Sequence, residues 1–138
     1  MPGNPVDLNI RQYLPFGKPS EAWSRIAELE AENKRIVGIM LRVSESFKQS
    51  IAEPREIYLA VQEVRSRTVY IRWRKKGVNG KQSYLLLNSV AGREFLLRQP
   101  DRARKLYKRY DRWSLQLNLA HSLRLNEIKR IRQYLDNL

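Results

Sequence analysis

Along the chain the spacing of apolar positions changes twice, and those changes mark out its elements. From about Ser20 to Ala52, Ile26, Leu29, Ile36, Met40, Val43 and Phe47 recur on one heptad-like stripe, with Asn33 in the same register. Glu28, Glu32, Arg35, Arg42 and Glu45 fall on the other side. Pro19 or Ser20 marks the start of this segment and Pro54 its end, so the pattern predicts one long helix. At ~1.5 Å per residue it would be roughly 50 Å long. Such a stripe belongs first to a core or a helix–helix seam, not to a cofactor site.

Between residues 56 and 88 the period falls to two. Ile57–Val64 is compatible with strand or helix, because short apolar runs are ambiguous. Thr68–Arg74 is a clearer strand, rich in β-branched and aromatic residues that alternate with polar ones. Gly77-Val78-Asn79-Gly80 supplies a turn, Asn79-Gly80 being the favoured type I′ pair, and Gln82–Leu87 returns as the partner strand. This predicts a β-hairpin, or a three-stranded meander if 57–64 joins it.

Helical spacing then resumes. Val90–Arg98 reads as a short helix, and Pro100 opens a last helix reaching about Tyr134. Its apolar arc holds Ala103, Leu106, Tyr110, Trp113, Leu117, Ile128, Ile131 and Leu135, with Arg124 nearby, either snorkelling or meeting an acid such as Glu127. Leu115, Leu119 and Leu123 point elsewhere, so 115–125 is apolar nearly all round. Packing against the first helix accounts for that; a homodimer or partner interface is the other reading. Residues 1–19, with Pro2, Pro5, Pro15 and Pro19, read as an extended proline-rich arm that Tyr13, Leu14 and Phe16 could anchor. The expected fold is α+β and mostly α: long antiparallel helices with a two- or three-stranded antiparallel hairpin or meander, forming one domain over 20–138.

Composition narrows the chemistry. At 138 residues the chain can bury a core without staples, and no apolar run approaches the ~20 residues of a membrane span. It has no Cys, which removes disulfides, thiolate nucleophiles and Cys-based metal sites. The first residues lack the basic-then-apolar order of a signal peptide, so a cytoplasmic location is expected. His121 is the single histidine, on or beside the apolar arc, and reads as a core residue. No Walker loop, dinucleotide-binding glycine pattern or nucleophile elbow is present. The five carboxylates of the second half, Glu94, Asp101, Asp111, Glu127 and Asp136, have no recognisable metal spacing. A non-enzyme without metal or cofactor is expected.

Charge gives the positive expectation. Lys+Arg number 27 against 14 Asp+Glu, a net of +13. Residues 1–69 hold 10 basic and 9 acidic side chains; residues 70–138 hold 17 and 5, so nearly all the excess lies in the second half. Two faces carry it. On the hairpin, alternation puts Val69, Ile71 and Trp73 on one side and Tyr70, Arg72, Arg74 and Lys76 on the other, with Lys75 and Lys81 adjacent. On the last helix, Arg98, Arg102, Lys105, Arg109 and Arg112 fall within an arc of roughly 80°. Densely cationic faces with aromatics beside them suit phosphate backbones, and Tyr70 or Tyr84 could stack an unpaired base. The plainer reading of the hairpin is an edge strand whose cations block sheet-to-sheet pairing, and of the helix a solvated face.

The strings Ile57-Tyr58-Leu59-Ala60-Val61-Gln62-Glu63-Val64, Val69-Tyr70-Ile71-Arg72-Trp73-Arg74 and Leu115-Gln116-Leu117-Asn118-Leu119-Ala120-His121-Ser122-Leu123, with Pro15-Phe16-Gly17 near the start, resemble an uncharacterised family of bacterial integrating conjugative element proteins. The resemblance implies a mobile-element setting and brings no activity or site residues with it. The sequence therefore leads to a non-enzymatic nucleic-acid-binding protein, with DNA ahead of RNA and little sequence specificity. The alternative is a protein–protein adaptor or small basic subunit of a nucleoprotein complex, using Leu115, Leu119 and Leu123. No membrane partner is expected.

Overall fold

A computed structural model of the chain describes residues 8–77 and 81–138. Over these residues it is α+β and mostly helical, with three helices and one three-stranded antiparallel sheet. The order is α1 (Pro19–Ser50), β1 (Ile57–Glu63), β2 (Val69–Lys76), β3 (Gln82–Leu85), α2 (Val90–Leu97) and α3 (Asp101–Asp136). The meander reading is the correct one, since Ile57–Glu63 is a strand, and β2 is central. Of the predicted turn Gly77-Val78-Asn79-Gly80, all but Gly77 lies outside the described residues.

Pro19 opens α1 because its fixed φ suits a first helical turn and its missing N–H would have gone unused there. The Lys18 N–H donates to Glu21, which also pairs with Arg11 at 3.1 Å. At the other end Arg55 Nε donates to the Ile51 carbonyl at 2.7 Å and Nη2 to that of Lys48 at 3.1 Å. Ser89 caps α2 by accepting from the Gly92 N–H. A Cβ at Gly92 would collide with the backbone of Leu86 and Leu87, so the entry to α2 requires glycine.

Helices α1 and α3 run antiparallel. Arg25 bonds Glu127 (2.7 Å), Arg124 bonds Glu32 (2.7 Å) and Arg132 bonds Glu30 (2.6 Å), while the Tyr110 hydroxyl meets Ser46 and Ser50 at 2.6 and 2.8 Å. Arg124 thus finds Glu32 across the pair, not Glu127, which Arg25 already occupies.

The core has two parts. Under the sheet, Phe47, Trp73, Tyr107, Tyr110 and Phe95 form an aromatic cluster with ring centroids 5.0–5.7 Å apart, joined by Met40, Ile57, Leu59 and Ile71. At the opposite end, Ala22, Ile26 and Leu29 of α1 meet Ile128 and Ile131 of α3, and Phe16 closes that cluster against Tyr134. Between the two parts in the α1 stripe sits Asn33, buried, with neither amide atom hydrogen-bonded. Phe16 is the buried member of the proposed anchors, whereas Tyr13 and Leu14 are exposed. Ile10–Tyr13 forms a short 3-10 turn.

Candidate nucleic-acid interface

The sheet has a covered face and an open one. Ile71 and Trp73 point into the core, as alternation requires, and Tyr70, Arg72, Arg74 and Lys76 point away from the helices. The register sets Tyr58, Arg74 and Tyr84 in one cross-strand row, with Ala60 beside Arg72 and Gln62 beside Tyr70. Lys75 shares the side of Ile71 and Trp73 but lies at the exposed hairpin end, so the hairpin cations split between the two sides.

On the open face the cations are stacked instead of extended. The Arg72 guanidinium carbon lies 3.7 Å from the Tyr84 ring centroid and 4.7 Å from that of Tyr70; Arg74 lies 5.3 Å from Tyr84. Arg74 donates to Gln62 Oε1 at 3.3 Å, and the Tyr84 hydroxyl donates to the same oxygen. The Arg72 Nε is buried without a partner. Such stacking suits a delocalised guanidinium, which is less strongly hydrated than an ammonium.

The placement of β2 depends on its neighbours. β3 ends at Leu85, opposite Trp73, and leaves the edge of β2 from Val69 to Arg72 without a strand. Helix α3 fills that edge with side chains. The Ile71 N–H donates to Asn118 Oδ1 at 2.9 Å, Asn118 Nδ2 donates to the Ile71 carbonyl at 2.9 Å, and the Val69 N–H donates to His121 Nε2 at 3.0 Å. Ser44 of α1 donates to the Leu59 carbonyl at 2.9 Å. Helices thus satisfy three backbone groups of β2 beyond the end of β3 and one carbonyl of β1.

Asp111 completes the α3 contacts by accepting from Trp73 Nε1 at 3.0 Å. Burial raises the pKa of its carboxyl, and the Trp73 bond opposes the rise. Burial lowers that of the His121 imidazole, opposed by the Arg67 backbone. Because Nε2 accepts from Val69, the imidazole is neutral in this arrangement.

Arg102, Lys105, Arg109 and Arg112 are exposed and, among the described residues, make no ion pair. Arg98, also on the predicted stripe, pairs with Glu56 at 3.2 Å. Arg104 bonds the Leu96 and Gln99 carbonyls. At ~100° per residue, the four free cations lie about 100–180° around α3 from Asp111, which touches β2. They therefore point away from the contact with Trp73.

Leu115, Leu119 and Leu123 are 55%, 60% and 58% exposed, so they do not pack against α1, contrary to the expectation that they would. Trp113 is 40% exposed at a groove of about 420 Å³ lined by Ile39, Val43 and Leu117. Sequence reasoning missed Tyr107, Asp111, Asn118 and Ser44 as organising residues. The available signal was spacing: 107, 111, 114, 118 and 121 return to one side of a helix at intervals of three or four. Among the described residues no group of three or more His, Asp or Glu side chains is placed to hold a metal ion, and no helix is long and apolar enough to cross a membrane.

Comparison with protein-family models, curated proteins and solved structures gives no match.

Proposed function

We propose that this protein binds nucleic acid without catalysis, through phosphate contacts made by two separate basic faces and with little sequence preference. The observation that carries the reading is the unspent charge on α3. Glu21, Glu28, Glu30, Glu32, Glu56, Asp101 and Glu127 each hold an arginine elsewhere, while Arg102, Lys105, Arg109 and Arg112 stand exposed without an acid. Residues three and four apart on a helix lie about 5–6 Å from each other, so like charges there repel until a polyanion neutralises them. Lys75, Lys76 and Lys81 supply further exposed cations at the hairpin end. DNA is the first target, with RNA next. The cytoplasmic location and the mobile-element setting belong to this reading through the sequence alone.

A gel-shift panel over single-stranded DNA, duplex DNA and RNA at two salt concentrations tests it. Binding that weakens strongly with salt supports the reading, and no binding to any of the three overturns it.

A second reading is favoured by one observation, the exposed row Leu115, Leu119 and Leu123. It makes the protein an adaptor, or a small basic subunit of a nucleoprotein complex, that docks through this row. Replacing Leu115 and Leu119 by Asp separates the two. Loss of a co-purifying protein with nucleic-acid retention intact favours the adaptor; loss of retention after Arg102, Lys105, Arg109 and Arg112 become Ala favours direct binding.

A further inference from the structure

Building on the reading of the open sheet face as a nucleic-acid surface, we infer that this face takes a single strand, with bases stacked on Tyr84 and Tyr70. A duplex surface needs cations that project to meet phosphates. Here the two arginines lie against rings: Arg72 is 3.7 Å from the Tyr84 centroid, and Arg74 is tied to Gln62. What the face presents is a group of flat π surfaces, the Arg72 guanidinium lying 3.7 Å from the Tyr84 ring centroid and 4.7 Å from that of Tyr70. Bases of any identity stack on such a platform, because each has a π face.

Charge agrees with that occupant. The outward positions of the three strands carry Arg72, Arg74 and Lys76 and no acidic residue among those described. Tyr84 is 46% exposed although Arg72 covers part of it, leaving ring surface open to a base. Lys76 and Lys81, both exposed at the end of the β2–β3 pair, can neutralise the phosphates of a strand running along these two strands. The buried, unpartnered Arg72 Nε is a donor that a base carbonyl or phosphate oxygen could satisfy once these surfaces part to admit it.

The experiment compares three labelled probes of about 15 nucleotides, near the upper site size of one such platform. They are oligothymidine, an abasic chain with the same phosphates, and a duplex, each titrated by anisotropy against the full chain. Oligothymidine is expected to bind about tenfold or more tighter than the abasic chain, the effect of one or more stacked bases. Tyr84→Ala should bring the two within about twofold of each other, while Tyr84→Phe, which keeps the ring, should restore the preference. An unchanged circular dichroism melt establishes that Tyr84→Ala is folded. Equal binding of oligothymidine and abasic chain overturns the single-strand site but leaves phosphate binding standing. So does a preference for duplex that Tyr84→Ala does not alter. Failure of all three probes to bind overturns the single-strand site, and failure of an RNA probe as well overturns both readings.

Discussion

The Asn118 side chain pairs with Ile71 as a neighbouring strand would, accepting from its N–H and donating to its carbonyl, both at 2.9 Å. One amide of a helix thereby supplies both hydrogen bonds that β3, ending at Leu85, does not provide. Asn118→Ala leaves two backbone groups unpaired in a half-buried place. It should cost about 2 kcal/mol or more in urea denaturation. Asn118→Asp keeps the acceptor but sets a charged oxygen against the Ile71 carbonyl, so at neutral pH it should cost at least as much as Ala. An Ala variant as stable as wild type would show that water replaces the amide freely.

His121 makes the same edge pH-sensitive. Its folded-state pKa is lowered by burial, so as pH falls below about 6.5 the unfolded chain takes up the proton first. The stability this group contributes is complete above that value and is lost as pH falls through the lower folded pKa. Protonation also turns Nε2 into a donor facing the Val69 N–H. Melting temperature should therefore drop as pH falls below about 6.5, and His121→Gln should flatten that part of the curve. An unchanged slope in the variant would assign the pH dependence to other groups.

Asp111 has the opposite sign. Its pKa is raised, so the folded state holds the proton more firmly, and stability falls as pH rises from about 3.9 through the folded pKa and stays lower above it. Asp111→Asn keeps an acceptor for Trp73 and removes the buried charge. It should match or exceed wild-type stability at neutral pH. Asp111→Ala strands the indole N–H and should cost about 1–3 kcal/mol. Thermal melts of both variants at two pH values check the pair, and a loss in Asp111→Asn equal to that in Asp111→Ala would contradict it.

Asn33 interrupts the core stripe with two unpaired polar atoms. Asn33→Leu should join the two hydrophobic clusters and raise stability by about 1–3 kcal/mol, measured by urea denaturation. A destabilised but folded variant would mean that the amide has a partner that stabilises it.

The long helices, the hairpin and the sides of β2 were legible because periodicity directly reports which face is buried. Ile26, Leu29, Met40 and Phe47 recur at helical spacing, and Ile71 and Trp73 at strand spacing. The basic stripes were legible for the same reason. What could not be read was orientation between elements. Periodicity says that Arg109 and Arg112 share a face, but only the contacts of Asp111, Asn118 and His121 with β2 show which side of α3 meets the sheet. Leu115, Leu119 and Leu123 misled because apolar character implies burial on average, and not at each position. The roles of Asn118 and Ser44 were hidden because they meet a strand edge whose length depends on where β3 ends.

The central claim, that exposed cations of this protein neutralise phosphates, is tested most directly by the slope of log affinity against log salt. The measurement uses a DNA probe with wild type and with a variant carrying Arg102, Lys105, Arg109 and Arg112 as Ala. Wild type should lose about 10³-fold in affinity between about 50 and 200 mM salt if six or more phosphates are engaged. The variant should remain folded and show a slope shallower by up to about 4 units. A wild-type affinity independent of salt, or a slope that the four substitutions leave unchanged, would contradict the account.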